Sequence, residues 1–268
     1  MLVVLPPLAA ESIFYIGNFP VTNAYINSSL AVLIFVVVGF ILRKKTALIP
    51  GKVQNFFEGL LEFILGYIDR ITRDRKKSLT YLPLIGGVFL FILVSNWMGL
   101  LPGTGSIGRY LEVHGQVELV PLLRPANSDL NMTLSMAVFA VVVSNLIGVV
   151  TIGFFRYANK FIKVADLVRS FKQGRTSIMV TFVEFGVGFL EIISEVAKMV
   201  SLSLRLFGNI FAGEVLLTVM AGLFAYLVPL PFMFLEIIVG LVQAIVFAML
   251  TLVYLSVATM PIHDKAPH

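Results

Sequence analysis

The sequence predicts an all-α membrane protein with five transmembrane crossings plus one interfacial amphipathic helix, the last two long helices forming a tilted, membrane-embedded hairpin. Three observations lead there. Of the 268 residues, 58% are hydrophobic and only 13% charged, where a soluble domain carries about 25% charged residues. Apolar runs recur at the length a span needs, roughly 20 residues. The basic residues gather in two loops instead of scattering over a surface. The same composition excludes a disordered chain, and the length leaves room for a single membrane domain, 1–268. The absence of Cys excludes disulfides, thiolate metal sites and Cys nucleophiles. His114, His263 and His268 all lie outside the apolar runs, so no intramembrane metal site and no cofactor is expected.

The first span covers 25–42. No Lys or Arg occurs in the first 26 residues, and Arg43, Lys44 and Lys45 close the run. A signal peptide has the opposite polarity, so the N-terminus is expected outside and Arg43 on the cytoplasmic side. In 52–70, Phe56, Phe57, Leu60, Leu61, Ile64, Leu65 and Ile68 recur at helical spacing with Gln54, Glu58, Glu62 and Asp69 between them, the pattern of a helix lying in the interface. The second span covers 79–101, with Trp97 as an interfacial anchor near its far end. Residues 102–129 are the least apolar stretch and read as a Pro/Gly-rich loop. The third span covers 130–155, and a basic loop follows it.

The segment 178–228 admits two readings, two spans or one long helix. As one helix of about 50 residues it would extend about 75 Å against a hydrocarbon core of about 30 Å, and so must tilt strongly. Pro229, Leu230 and Pro231 then read as a tight turn before the last helix, 232–260. Charge favours the single helix. The loop 43–78 holds nine Lys+Arg, 156–177 holds six, 103–129 holds two and the tail holds one. Five crossings place both dense loops and the C-terminal tail together on the cytoplasmic side. The lack of an internal repeat weakens an inverted-repeat transporter.

The two remaining basic residues, Lys198 and Arg205, lie inside the long apolar segment with Glu184, Glu191, Glu195 and Glu214, and Glu236 sits in the last helix. Charges at bilayer depth cost about 2.5–3.5 kcal/mol or more and mark ion paths by default. Glu184, Glu191, Lys198 and Arg205 are seven apart, so each step drifts only about 20° around the helix, and Glu195 joins them as the i+4 neighbour of Glu191. Glu214 falls nine residues past Arg205, on the opposite face. Gln243 shares a face with Glu236. Arg keeps its proton in proteins, so Arg205 suits a fixed positive post that attracts a passing carboxylate and blocks a proton leak. Structural roles compete for several of these residues: Glu195–Lys198 as a self-neutralising pair, Glu184 as a helix-end residue near the headgroups, Arg205 as a snorkelling side chain, Gln243 as helix–helix glue, and Asp129 with Asn131 beside it as an N-cap.

The run Ser201, Leu202, Ser203, Leu204, Arg205, Leu206, Phe207, Gly208, Asn209, followed by Ala212, Gly213 and Glu214, resembles the signature of subunit a of the rotary (F-type) ATP synthase membrane sector. Further resemblances are Phe19, Pro20, Val21, Thr22 and Asn23 ahead of the first span, Asn96 to Leu101 in single steps through Trp97, Met98, Gly99 and Leu100, then Asp129, Leu130, Asn131 and Met132, and finally Gln243, Ala244 and Ile245 in the last helix. Together they extend over nearly the whole chain. The resemblance implies a non-catalytic, proton-translocating stator subunit beside a ring of c subunits, held by peripheral-stalk b subunits in an energy-coupling membrane such as the bacterial inner membrane. It implies two offset half-channels, with Arg205 opposite the ring carboxylates. Glu214, Glu236, Gln243, Asp129, Asn131 and the signature's Asn209 would then serve the external side, and Glu191, Glu195, Lys198 and Glu184 the cytoplasmic side. Protons are the implied cargo, with Na+ left open, and no nucleic-acid partner is expected. Two departures stand out: Met199 occupies a position where relatives often have Pro, and Glu236 one where some have His. No phosphate-cradling GxxxxGK[ST] motif occurs. The rival reading is a stand-alone secondary transporter or channel that uses Arg205 to clamp a substrate carboxylate.

Overall fold

The structure is a computed structural model that describes residues 7, 9–45, 50–101, 104, 107–113, 116–154, 156–157, 175–223 and 227–260. Most of the basic loop 156–177 and the tail with Lys265 lie outside the described residues, as does the side chain of Glu184. Five helices among the described residues are long and apolar enough to cross a membrane. They are α1 (Asn23–Lys45), α3 (Arg75–Gly99), α4 (Leu130–Ile152), α5 (Arg175–Leu223) and α6 (Pro229–Ala258), while α2 (Lys52–Thr72) is the amphipathic one.

The corner between α2 and α3 is built from two caps placed back to back. Arg73 takes the left-handed conformation (φ 52°) and its N–H closes α2 on the Asp69 carbonyl. Asp74 then caps α3 by accepting from the N–H groups of Lys76 and Lys77, which satisfies donors that every helix start leaves orphaned. Asp69 also pairs with Arg75. The second half of α2 buries Ile64, Leu65 and Ile68 against α3, and Phe56 and Leu61 stay exposed.

The core is the α3–α6 contact, where Ile85, Phe89 and Ile92 meet Ala244, Phe247 and Ala248, and α4 and α5 close over it through Ala137, Ala140, Leu202 and Leu206. Small residues let these helices approach, as expected for membrane bundles. At Gly148 of α4 an added Cβ would lie 2.6 Å from the Ala258 carbonyl oxygen of α6.

Two findings differ from the sequence reading. Ahead of the first span β1 (Ser12–Ile16) pairs with β2 (Phe19–Thr22), and within 102–129, read as a loop, β3 (Gly108–Val113) pairs with β4 (Gln116–Pro121), both antiparallel. Arg109 donates to the Ile13 carbonyl at 3.2 Å and joins the two hairpins. Pro229 and Pro231 do not form the turn but open α6, because proline lacks only an N–H that the first helical turn does not use. The long segment agrees with the expectation of one helix, 49 residues over its described length.

Candidate functional site

Helix α5 carries the charged residues, and its neighbours decide which of them are covered. Leu202, Ser203, Leu206 and Ile210 are buried, and the Ser203 hydroxyl lies 3.2 Å from that of Thr133 on α4. On the uncovered side, Ala197, Ser201, Arg205, Gly208 and Ala212 are all exposed and recur every three or four residues, which sets them in one stripe. Arg205 is the only charge in that stripe. Among the described residues no carboxylate lies within ion-pair distance of it. Asn209, one turn on, is exposed as well.

On the N-terminal side of Arg205 along α5, here called the Lys198 end of the site, Glu195 is buried (9% exposed). It accepts from Lys198 Nζ at 2.7 Å and from Asn145 Nδ2 of α4 at 3.3 Å. Lys198 also stands 5.6 Å from the ring centroid of Tyr254 on α6, a cation–π distance. Tyr157, past the end of α4, donates to Asn145 Oδ1. Burial, and then the nearby Glu195 and Glu191, push the Tyr157 phenol up to about 12, so it keeps its proton. Glu195 thus turns toward α4 while Arg205 faces outward, and the stripe read from the heptad spacing divides into a covered and an uncovered part. Glu191 is half-buried beside this cluster.

At the other end, the Arg124 end, the arrangement was not anticipated. Arg124, in the loop ahead of the 3-10 turn Ala126–Ser128, is 2% exposed and pairs with Glu214 of α5, Nε to Oε1 at 2.8 Å. Glu236 of α6 is 6% exposed, and its carboxylate lies against Gly213, where an added Cβ would come within 2.0 Å of Oε2. No hydrogen bond to Glu236 is found among the described residues. The rotation of α6 that aims Glu236 at Gly213 is fixed from α3. Asn96 Nδ2 donates to the Gly240 carbonyl at 3.3 Å and Trp97 Nε1 to the Ile237 carbonyl at 3.1 Å. Asn127, fully buried, donates to Asn96 Oδ1 at 2.8 Å. Gln243 is buried two turns along α6 from Glu236 (9% exposed). Asp129 caps α4 by accepting from the Asn131 N–H at 3.3 Å, the structural role its position ahead of the helix allowed.

Sequence reasoning missed Arg124, Asn96 and Asn127 as members of this site. A signal for Arg124 was present, since a carboxylate at membrane depth such as Glu214 needs a partner and only Arg109 and Arg124 were available on that side.

Residues 25–256 match the family model described as ATP synthase A chain. The chain belongs to the ATP synthase A chain family. It is 33% identical over 242 residues to ATP synthase subunit a of Mycobacterium ulcerans (strain Agy99), covering 88% of this chain and 86% of that one. It is 32% identical to ATP synthase subunit a of Mycobacterium marinum (strain ATCC BAA-535 / M), covering 91% and 89%. Similarity to ATP synthase subunit a of Moorella thermoacetica (strain ATCC 39073 / JCM 9320) is 28%, covering 91% and 94%. For an A-chain family member, the uncovered arginine stripe and the acids on either side of it along α5 form the candidate ion path.

Proposed function

We propose that the chain is the proton-translocating stator subunit of an ATP synthase, non-catalytic itself, with Arg205 as the fixed charge between two offset half-channels. The observation that carries this is Arg205 standing without an ion-pair partner, among the described residues, on an exposed stripe of Ala197, Ser201, Gly208 and Ala212. Small residues admit a close neighbouring helix, here one of a ring of c subunits, whose ionised carboxylate would supply the missing partner. Glu236, Glu214, Gln243 and Asn209 serve the external half-channel, with Asp129 and Asn131 at its margin, and Glu184, Glu191, Glu195 and Lys198 border the cytoplasmic one. The b subunits of a peripheral stalk would hold the chain still against the ring. The N-terminus lies outside and the C-terminus inside an energy-coupling membrane, as the basic loops require.

Arg205→Ala should cut ATP-driven pumping about 100-fold or more, the scale seen when one preorganised charge is removed. Arg205→Lys should lose most pumping too. A desolvated Lys can shed its proton and then relay protons itself, and it lacks the planar fork that can face one carboxylate and then the next. Normal coupled pumping by Arg205→Ala would overturn the mechanism. Normal pumping by Arg205→Lys would show that charge alone suffices. For topology, the chain has no Cys of its own, so single Cys residues at exposed Ile107 and Lys52 should react with an impermeant reagent from opposite sides. Reaction from one side would reject five crossings.

A further inference from the structure

We infer that Arg124 is a positioning residue of the external half-channel, holding Glu214 and the N-terminal main chain in one fork so that Glu236 alone is left to take up the proton. This rests on the half-channel reading above. All three guanidinium nitrogens are engaged. Nε donates to Glu214 Oε1 at 2.8 Å and Oε2 at 3.1 Å, and Nη2 to Oε2 at 3.0 Å. Nη2 also donates to the Pro7 carbonyl at 2.8 Å, and Nη1 to the Ala9 carbonyl at 3.4 Å. A fork of this kind fixes direction as well as charge, and it unites a loop, a spanning helix and the N-terminal segment. Removing one member of a buried pair strands the other's charge, whereas removing both strands nothing.

The two acids therefore have different prospects. Glu214 is committed to a cation that keeps its charge throughout. Glu236 is buried at 6% exposure, against the backbone next to Glu214, with no donor among the described residues. A proton path needs a group whose protonation changes, and of the two only Glu236 is uncommitted. On the elements that meet the pair, the other acids are Glu236 on α6, Asp129 at the start of α4 and Glu11 in the N-terminal segment.

The test is passive proton flux through membrane vesicles carrying the complex stripped of its catalytic head, measured against external-side pH and normalised to assembled complex. Uptake limits the alkaline limb, so its half-flux pH reports the charge around Glu236. Arg124→Gln removes a positive charge and leaves two carboxylates together, so the half-flux pH should rise by about one unit; Glu214→Gln leaves the arginine unopposed and should lower it by a similar amount. Arg124→Gln/Glu214→Gln should return close to the wild-type half-point. Arg124→Lys keeps the charge and should stay near it, with a lower flux. A purely structural bridge would change assembly but move no half-point. Unmoved half-points, or shifts of Arg124→Gln and Glu214→Gln in the same direction, overturn the inference, and so does an Arg124→Lys shift as large as that of Arg124→Gln. If Arg124→Gln does not assemble, Glu214→Gln and Arg124→Lys still decide. Arg205→Ala is run beside them. Intact pumping there overturns the half-channel reading itself, whereas lost pumping with unmoved half-points overturns only the role of Arg124.

Discussion

At the Lys198 end of the site the buried acid finds its cation three residues away on the same helix, Glu195 to Lys198 at 2.7 Å. At the Arg124 end, Glu214 receives its cation from 90 residues earlier in the chain, at 2.8 Å. The first pair forms wherever α5 is helical, because residues three apart share a face. The second forms only after α4, α5 and the loop before the 3-10 turn have packed. The cations differ in side-chain exposure, 23% for Lys198 against 2% for Arg124, while the carboxylates are alike, 12% for Glu195 and 18% for Glu214. A local pair in partial contact with its surroundings neutralises charge and asks little of the fold. A non-local pair with a buried cation locks elements together, and its loss is felt by everything it joins.

The largest effect outside Arg205 and Arg124 is expected where the Arg124 end is tightest. In Gly213→Ala the new methyl would sit 2.0 Å from Glu236 Oε2 and 2.2 Å from Cδ. Both are the far end of a flexible side chain, so the carboxylate swings away and the helices hold. Alanine is also the better helix residue, by about 1 kcal/mol. Pumping should fall by about 10- to 100-fold with assembly intact, the scale for misplacing a reacting group by about 1 Å. Gly186→Ala, nearer the other end of α5, meets nothing within 4 Å and should leave pumping within about twofold, as surface changes do. Wild-type rates in Gly213→Ala would show that the position of Glu236 carries no weight. A loss in Gly186→Ala as large as in Gly213→Ala would erase the contrast between the ends.

The same contrast explains what was legible in the sequence. The spanning helices announce themselves through runs of about 20 apolar residues, and the single α5 followed from the basic loops on either side of it. Pro229 and Pro231 were visible as punctuation, but a proline marks a helix start as readily as a turn. The hairpins Ser12–Thr22 and Gly108–Pro121 were illegible, since strands of four to six residues, three of them holding a Gly or a Pro, carry too little alternation to stand out from a loop. Within the site, Glu195–Lys198 could be read from spacing alone. Arg205 could be read as a functional charge from its cost, though not as uncovered. The Arg124–Glu214 pair and the Asn96 and Trp97 bonds that set the rotation of α6 could not be read, because periodicity orders residues within one helix and says nothing of which loop reaches it.

The smallest effect is expected at the Lys198 end, where redundancy is greatest. Glu195 accepts from both Lys198 and Asn145, and Lys198 also lies over the Tyr254 ring. In Lys198→Met the carboxylate keeps the Asn145 donor, and in Glu195→Gln the lysine keeps its aromatic neighbour and partial exposure. Each single variant should therefore retain pumping within about threefold of the parent, with a coupling energy between the two sites of at most about 1 kcal/mol, the range for exposed and partly exposed pairs. Thermal inactivation of the assembled complex measures that coupling, and proton pumping measures the function. A coupling well above this, as expected for Arg124 and Glu214, would mean that the Lys198 end is as tightly locked as the other and that sequence distance is a poor guide. Loss of pumping on the scale of Gly213→Ala would instead make Glu195 an obligatory proton group of the cytoplasmic half-channel, because a pair that only cancels its own charge has no flux to lose.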